Sequence, residues 1–273
     1  MLKKIYTQFP GGKHKVLTLS YDDGKVPDRK LVSILNEHGI KCTFNVNSGL
    51  EKLSFKESYE ERIPMSEYAR LYAGHEIATH TVTHPTIARS PKEQMVLQFI
   101  EDRRALEELL KVPVRGNAYP NGSFSDEVVE AARASGIAYA RTIKATKGYD
   151  LPTDYLRWNP TCHHSDPDFE KIYTDFLDLH KTQYLYLLYV WGHSYEFERD
   201  GNWEIIEKFA KKVGGKDDIW YATNIEIVDY LEAANRVQVA VDGSFAYNPN
   251  ACSIFFQVEN DTVELLPGRI TEL

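Results

Sequence analysis

The chain has 273 residues, 40 acidic against 32 basic, for a net charge of −8. That length suffices for one large domain or two small ones with a substantial core. The absence of a basic run or stripe argues against a nucleic-acid partner. No stretch is apolar for long enough to cross a bilayer. The opening MLKKIYTQFPGGKHK carries lysines without a long apolar run behind them, so the expectation is no signal peptide and a cytoplasmic protein. Cys42, Cys162 and Cys252 are odd in number and far apart, which points to reduced thiols and not to a disulfide scaffold.

In chain order, KVLTLSY (15–21) is an apolar, β-branched run that predicts a strand, with Asp22-Asp23-Gly24 as its exit turn. Helical spacing of Leu31, Ile34 and Leu35 predicts a helix over 27–38 stopped at Gly39. Cys42 to Val46 is the next strand, and 48–72 is charged and irregular with a short helix near Met65 to Leu71. Glu76 to Thr79 is a strand running into His80. Ser90 as N-cap and Pro91 at the first position open a long helix to about Leu110. A strand follows over 112–119, a helix over 125–134 stopped by Gly136, and a strand over 137–140. Residues 144–165 read as a long loop with a short strand near Tyr155 to Trp158. A helix over 167–181, an apolar strand over 184–190, a helix over 203–213, a strand over 218–222 and a helix over 224–234 complete the alternation. It predicts parallel strands joined by crossover helices, and the continuous apolar strands predict cover on both faces. After Asn235, turns at Asp242-Gly243 and Asn248-Pro249 predict a small antiparallel appendage, giving 1–235 as the main unit and 236–273 as a β extension packed on it.

The chemistry gathers at strand ends. In GHEIATHTVTHP (74–85), His80 and His84 stand four apart, as two imidazoles on one turn or tight loop offering nitrogens to one metal. Pro85 disfavours helix at His84. A two-His, one-carboxylate set leaves positions open for water or substrate, and Asp22-Asp23 is the best source of the carboxylate. Successive residues of a strand face opposite ways, so both aspartates share a site only if the turn begins there, which Gly24 permits. Asp22, Asp23, His80, Tyr119, Arg141 and His193 all fall at or just past the C-terminal end of a predicted strand, where catalytic groups sit in parallel barrels.

SYDDG, HTVTHP, a later R-x-x-x-YP-x-G segment (115–122) and a His after a late apolar strand resemble the polysaccharide deacetylases of the NodB-homology type, carbohydrate esterase family four. The resemblance spans roughly Val16 to Tyr230. It implies an α/β fold, a distorted and incomplete (β/α) barrel, here with the small C-terminal β appendage. It further implies Asp23, His80 and His84 as metal ligands, Asp22 as general base and His193 as general acid. The backbone N–H at Tyr119 would hold the oxyanion and Arg115 would orient Asp22, although Arg115 and Tyr119 are four apart where the family pattern has three. Asn47, Trp158, the pair His163-His164 and Trp191 are candidates for the substrate cleft. The cofactor expected is a divalent metal, zinc first, with cobalt or nickel as alternatives.

The activity expected is removal of an N- or O-linked acetyl group from a carbohydrate partner by metal-activated water. One alternative is hydrolysis of another non-peptide C–N bond, of the cyclic-amide type, on the same fold. Another is a non-catalytic sugar-binding protein with a structural metal, against which Asp22 and His193 both argue, because binding needs neither base nor acid.

Overall fold

A computed structural model describes residues 2–50 and 57–273. In order, the strands and helices are β1 (Ile5–Gln8), β2 (Lys15–Asp22), α1 (Asp28–Glu37), β3 (Cys42–Val46), α2 (Tyr68–Leu71), β4 (Glu76–Thr79), α3 (Lys92–Leu110), β5 (Gly116–Ala118), α4 (Asp126–Ala134) and β6 (Tyr139–Arg141). There follow β7 (Cys162–His163), α5 (Phe169–Leu177), β8 (Tyr186–Gly192), α6 (Ser194–Asp200), α7 (Glu204–Val213), β9 (Ile219–Tyr221) and α8 (Asn224–Asn235). Five short strands close the chain: β10 (Gln238–Val239), β11 (Phe245–Tyr247), β12 (Ile254–Val258), β13 (Asp261–Leu265) and β14 (Ile270–Glu272).

β2 is the axis of the fold. Each of its positions is buried, as its unbroken apolar run requires. One edge pairs with β8 along its length, while the other edge is shared. Its first half pairs with β9 (Lys15 opposite Ile219) and its second half with β3 (Leu19 opposite Cys42). The sheet runs β6-β5-β4-β3-β2-β8-β7 with every pairing parallel. It curls until the segment 158–163 nearly closes it, Trp158 bridging to Arg141 at one end and Thr161 N–H bonding Tyr189 O at the other. With helices outside, this is the distorted, incomplete (β/α) barrel.

The helices bury one stripe each, for example Met95, Phe99, Asp102 and Leu106 along α3. Local differences from the sequence reading have simple causes. Pro91 itself takes the N-cap place of α3 with no side-chain cap, because Ser90 closes the preceding turn of Ile87–Arg89. Only Gly116–Ala118 of the expected 112–119 strand is paired. The 144–165 loop carries a single turn at Tyr155–Arg157, and its short strand falls later, at Cys162–His163. Part of the irregular 48–72 stretch lies outside the described residues. The last strands form two antiparallel sheets, β10-β11-β14 and β1-β12-β13, so the N-terminal strand joins the C-terminal ones. Among the described residues no helix is long and apolar enough to cross a membrane.

Parallel strands bring their C-terminal ends to one rim. Asp22, His80, Tyr119, Arg141 and His193 meet there, whereas Arg115, which precedes β5, lies at the opposite rim.

Candidate active site

β2 ends at Asp22, and Asp23 takes a left-handed backbone (φ 82°), so the turn begins between the two aspartates and both reach the same cleft. Gly24 follows at φ 60°, where a Cβ would lie 3.0 Å from Val46 Cγ1 and 3.2 Å from the Tyr68 hydroxyl oxygen. His80 leaves the end of β4, and the chain then bends through Thr81 (φ 63°) and His84 (φ 53°), not through a helical turn. Left-handed backbone at non-glycine residues costs about 1–3 kcal/mol each and persists where its surroundings over-determine it. Here the braces are visible. Asn47 Nδ2 donates to His80 O (2.5 Å) and Thr81 O (2.8 Å). Asp102, buried in α3, accepts from the His80 backbone N–H at 3.0 Å and from Ser48 N–H and Oγ–H at 2.8 and 2.6 Å. Arg62 donates to Asp23 O and to Asn47 Oδ1 (3.0 Å).

One ligand atom from each of Asp23, His80 and His84 lies within 4.8 Å of the other two. His80 Nδ1 is 2.7 Å from Ala118 O and must carry its proton there, which turns the Nε2 lone pair to the cleft. Burial, opposed by Asp22 and Asp23, pushes His80 down to about 4, so the ring is neutral at physiological pH. His84 Nε2 stands 3.8 Å from Asp23 Oδ1. Two imidazoles and one carboxylate with an open side fit a divalent cation.

Asp22 is buried beside this group. Its Oδ1 accepts from Asn45 Nδ2 at 2.9 Å, and its Oδ2 is gripped by the Arg141 guanidinium. Burial alone would raise its pKa, but Arg141 and the neighbouring imidazoles outweigh that and hold it down at about 2. Arg141 is itself held, its Nε donating to Ser20 Oγ (3.2 Å) and its guanidinium lying 4.4 Å from the Trp191 ring. Asp22 Oδ2 is 3.9 Å from both His80 Nε2 and His193 Nε2. Burial lowers the His193 pKa, but Glu196, Asp22 and Asp23 overcome it and leave the group above its ordinary value.

A cleft of about 360 Å³ is lined by Asp22, Asp23, His80, His84, His193, Tyr119 and Trp191, with Asn121, Ile143 and Tyr195 among its walls. A larger cavity of about 540 Å³ opens at the opposite rim around Lys41, His75 and Arg115, away from Asp22 and His193.

Several expected roles meet different surroundings. Arg115 pairs with Asp229 on the surface (2.5 Å) and cannot orient Asp22 from the far rim; Arg141 occupies that place. The Tyr119 N–H is spent on Arg141 O (3.0 Å) in the sheet ladder, so it is not free for an oxyanion, although the Tyr119 ring lines the cleft. Asn47 is a buried brace. Trp158 is buried, edge-on to Tyr139, Tyr155 and Tyr189. His164 is buried between Tyr21 and Phe197, and His163 faces Glu196, so neither lines the cleft. Trp191 does. The sequence reading placed Arg141 at a strand end without giving it a role, and passed over Glu196, Asn45, Arg62, Asp102 and Tyr195. The capping position of Glu196, three residues into the helix after His193, was its only local signal.

Fold and site together define a parallel α/β barrel with a two-His, one-carboxylate centre flanked by a buried Asp and a His. Residues 10–140, just under half of the chain, match the family model for polysaccharide deacetylase. Among similar curated proteins are the chitooligosaccharide deacetylase of Sinorhizobium fredii, 28% identical over 123 residues (44% of this chain, 53% of that protein), and that of Rhizobium leguminosarum bv. phaseoli, 30% identical over 121 residues (42% and 48%). The chain thus spans about half the length of these relatives. A candidate polysaccharide deacetylase from Mycobacterium smegmatis shares the fold, with a TM-score of 0.60 at 16% identity over 86% of this chain and 96% of that one.

Proposed function

We propose that the protein is a metal-dependent hydrolase that removes an acetyl group, N- or O-linked, from a carbohydrate. The observation that carries this reading is the convergence of Asp22 and His193 on the Asp23, His80, His84 triangle in one cleft. A divalent cation held by those three residues supplies Lewis-acid polarisation of the acyl oxygen and lowers the pKa of water from ~16 to about 7. Asp22, kept ionised by Arg141, accepts a proton as water adds to the acyl carbon. His193, poised above its ordinary pKa, donates a proton to the departing nitrogen or oxygen as the acyl bond breaks. Acetate and the deacetylated sugar leave. Trp191 and Tyr195 line the cleft and supply aromatic surface for the sugar. Zinc is the expected ion, since the N and O donors suit borderline divalent metals.

We also infer that 236–273 extends the 1–235 barrel instead of folding separately. β12 hydrogen-bonds β1, Tyr230 Oη donates to Gln8 O (2.6 Å), and Ile254 and Phe256 share a buried cluster with Val16 and Tyr189.

The test is bound metal and acetate release on the same samples of wild type, Asp23→Ala and His80→Ala, with a panel of acetylated sugars. Metal and activity lost together in both variants are expected. Undiminished acetate release from a metal-free sample would refute the mechanism.

A further inference from the structure

A second group of ligand types stands beside the site, and the mechanism above uses only one of its members. His163, His193 and Glu196 each direct a ligand atom to a common point, all within 4.8 Å of one another. Glu196 Oε2 is 3.2 Å from His163 Nε2 and 3.4 Å from His193 Nδ1. In a tetrahedral zinc site with bonds of about 2.0–2.2 Å, neighbouring ligand atoms stand roughly 3.3–3.5 Å apart. The separations here approach that edge length and exceed the ~2.9 Å of an ordinary N–H···O bond. His193 Nδ1 is moreover buried with no hydrogen-bond partner among the described residues.

The surroundings hold these atoms in place as outer-sphere groups hold a metal site. His163 Nδ1 lies 2.7 Å from Ser165 Oγ, which turns Nε2 toward Glu196. His164 Nδ1 lies 3.2 Å from the Tyr21 hydroxyl, and its Nε2 lies 3.3 Å from the same Glu196 oxygen. A neutral His164 accepting from the Tyr21 hydroxyl then donates Nε2–H to the carboxylate and orients it.

We infer that His163, His193 and Glu196 form a second divalent-cation site, of the zinc class, whose filling inhibits the enzyme. Two imidazoles and a carboxylate favour borderline ions over calcium or magnesium. The inhibition follows from the ring nitrogen used. An imidazole bound to a cation through Nδ1 carries one proton, on Nε2, and no longer passes through the imidazolium that serves as acid. Occupancy therefore removes the proton donor without touching Asp23, His80 or His84. This consequence rests on the acid role of His193 proposed above; the metal site does not.

The experiment is equilibrium dialysis of the chelator-stripped full chain against zinc, with metal counted per chain, on wild type, Asp23→Ala, His163→Asn and Glu196→Gln. Wild type is expected to take two equivalents and each variant one. The equivalent kept by His163→Asn and Glu196→Gln at the first site reports that they are folded. Acetate release should rise with the first equivalent and fall with the second. The zinc concentration giving half-inhibition should move at least tenfold upward in His163→Asn. Equal stoichiometry in wild type and His163→Asn, or no zinc on Asp23→Ala, overturns the second site. If no acetylated sugar is turned over, the proposed activity fails while the stoichiometry still decides the site. Two equivalents in wild type without loss of rate would refute inhibition.

Discussion

Arg141→Met keeps the bulk of the side chain and removes the guanidinium that grips Asp22. Both partners are buried, with side-chain exposures of 0% and 4%. The Asp22 pKa of about 2, against an ordinary 3.8, shows a carboxylate stabilised in its charged form despite burial. Because the folded value is depressed, that contribution is fully present above pH 3.8 and is lost only as pH falls through about 2, so a neutral buffer reads all of it. Two pK units correspond to roughly 2–3 kcal/mol, and stranding one half of a buried pair costs about 3–5 kcal/mol. At roughly 2–4 °C per kcal/mol for a chain of this size, the melting temperature should fall by about 10 °C. Asp22→Asn in the same background should recover part of the loss, as a coupled pair requires. Arg115→Met is the control, since its exposed pair with Asp229 is worth at most about 1 kcal/mol. Melting of the chelated protein at pH 7 and kcat/KM for acetate release are the assays, with a drop of about 10²-fold expected for Arg141→Met only. If Arg141→Met melts within a few degrees of wild type, or Arg115→Met falls as far, the assignment of Arg141 is wrong.

Two further outcomes follow from the geometry. Glu76 is half-buried and accepts from Thr43 Oγ1, Tyr139 Oη and Ile225 N–H, and desolvation outweighs those bonds to raise its pKa to about 7. A raised carboxyl pKa means stability present below pH 4.5 and lost as pH rises through 7, so Glu76→Gln should gain on wild type by about 2–3 kcal/mol between pH 4.5 and 7.5; parallel denaturation profiles would contradict this. Gly24→Ala forces a methyl to 3.0 Å from Val46 Cγ1 at a positive φ and should cost about 1–3 kcal/mol with weakened metal binding; calorimetry together with zinc titration reads both, and unchanged values would show that the turn relaxes freely.

What was legible in the sequence was local. An apolar run ending in Asp22-Asp23-Gly24 states that a buried strand stops at two carboxylates, and His80 followed by His84 and Pro85 states that two imidazoles share a short loop. Both are consequences of period and turn chemistry over a few residues. The strand-end pattern also foresaw that Asp22, His80, Tyr119 and His193 would meet, because parallel strands share one rim. The chain alone did not disclose which side chains cross that rim to touch one another. Arg141 and not Arg115 reaches Asp22 because one follows its strand and the other precedes it, which places them at opposite ends of the barrel. The Tyr119 N–H is consumed by β6, a pairing between segments that sequence spacing does not encode.

The same distinction explains the aromatic and imidazole groups. Trp158 is as suited by type to a sugar as Trp191, yet the near-closure of the sheet puts the first in the core and leaves the second on the cleft. Glu196 collects three imidazoles only because the segment ending at His163-His164 is laid against β8 beside the start of α6. Sequence by itself determined the elements, their order and the residue types offered at each strand end, since these depend on local backbone preference and periodicity. Tertiary structure decided which offered groups become partners. Hydrogen bonds and charge pairs act over a few ångströms, and those distances are set by long-range packing of the barrel.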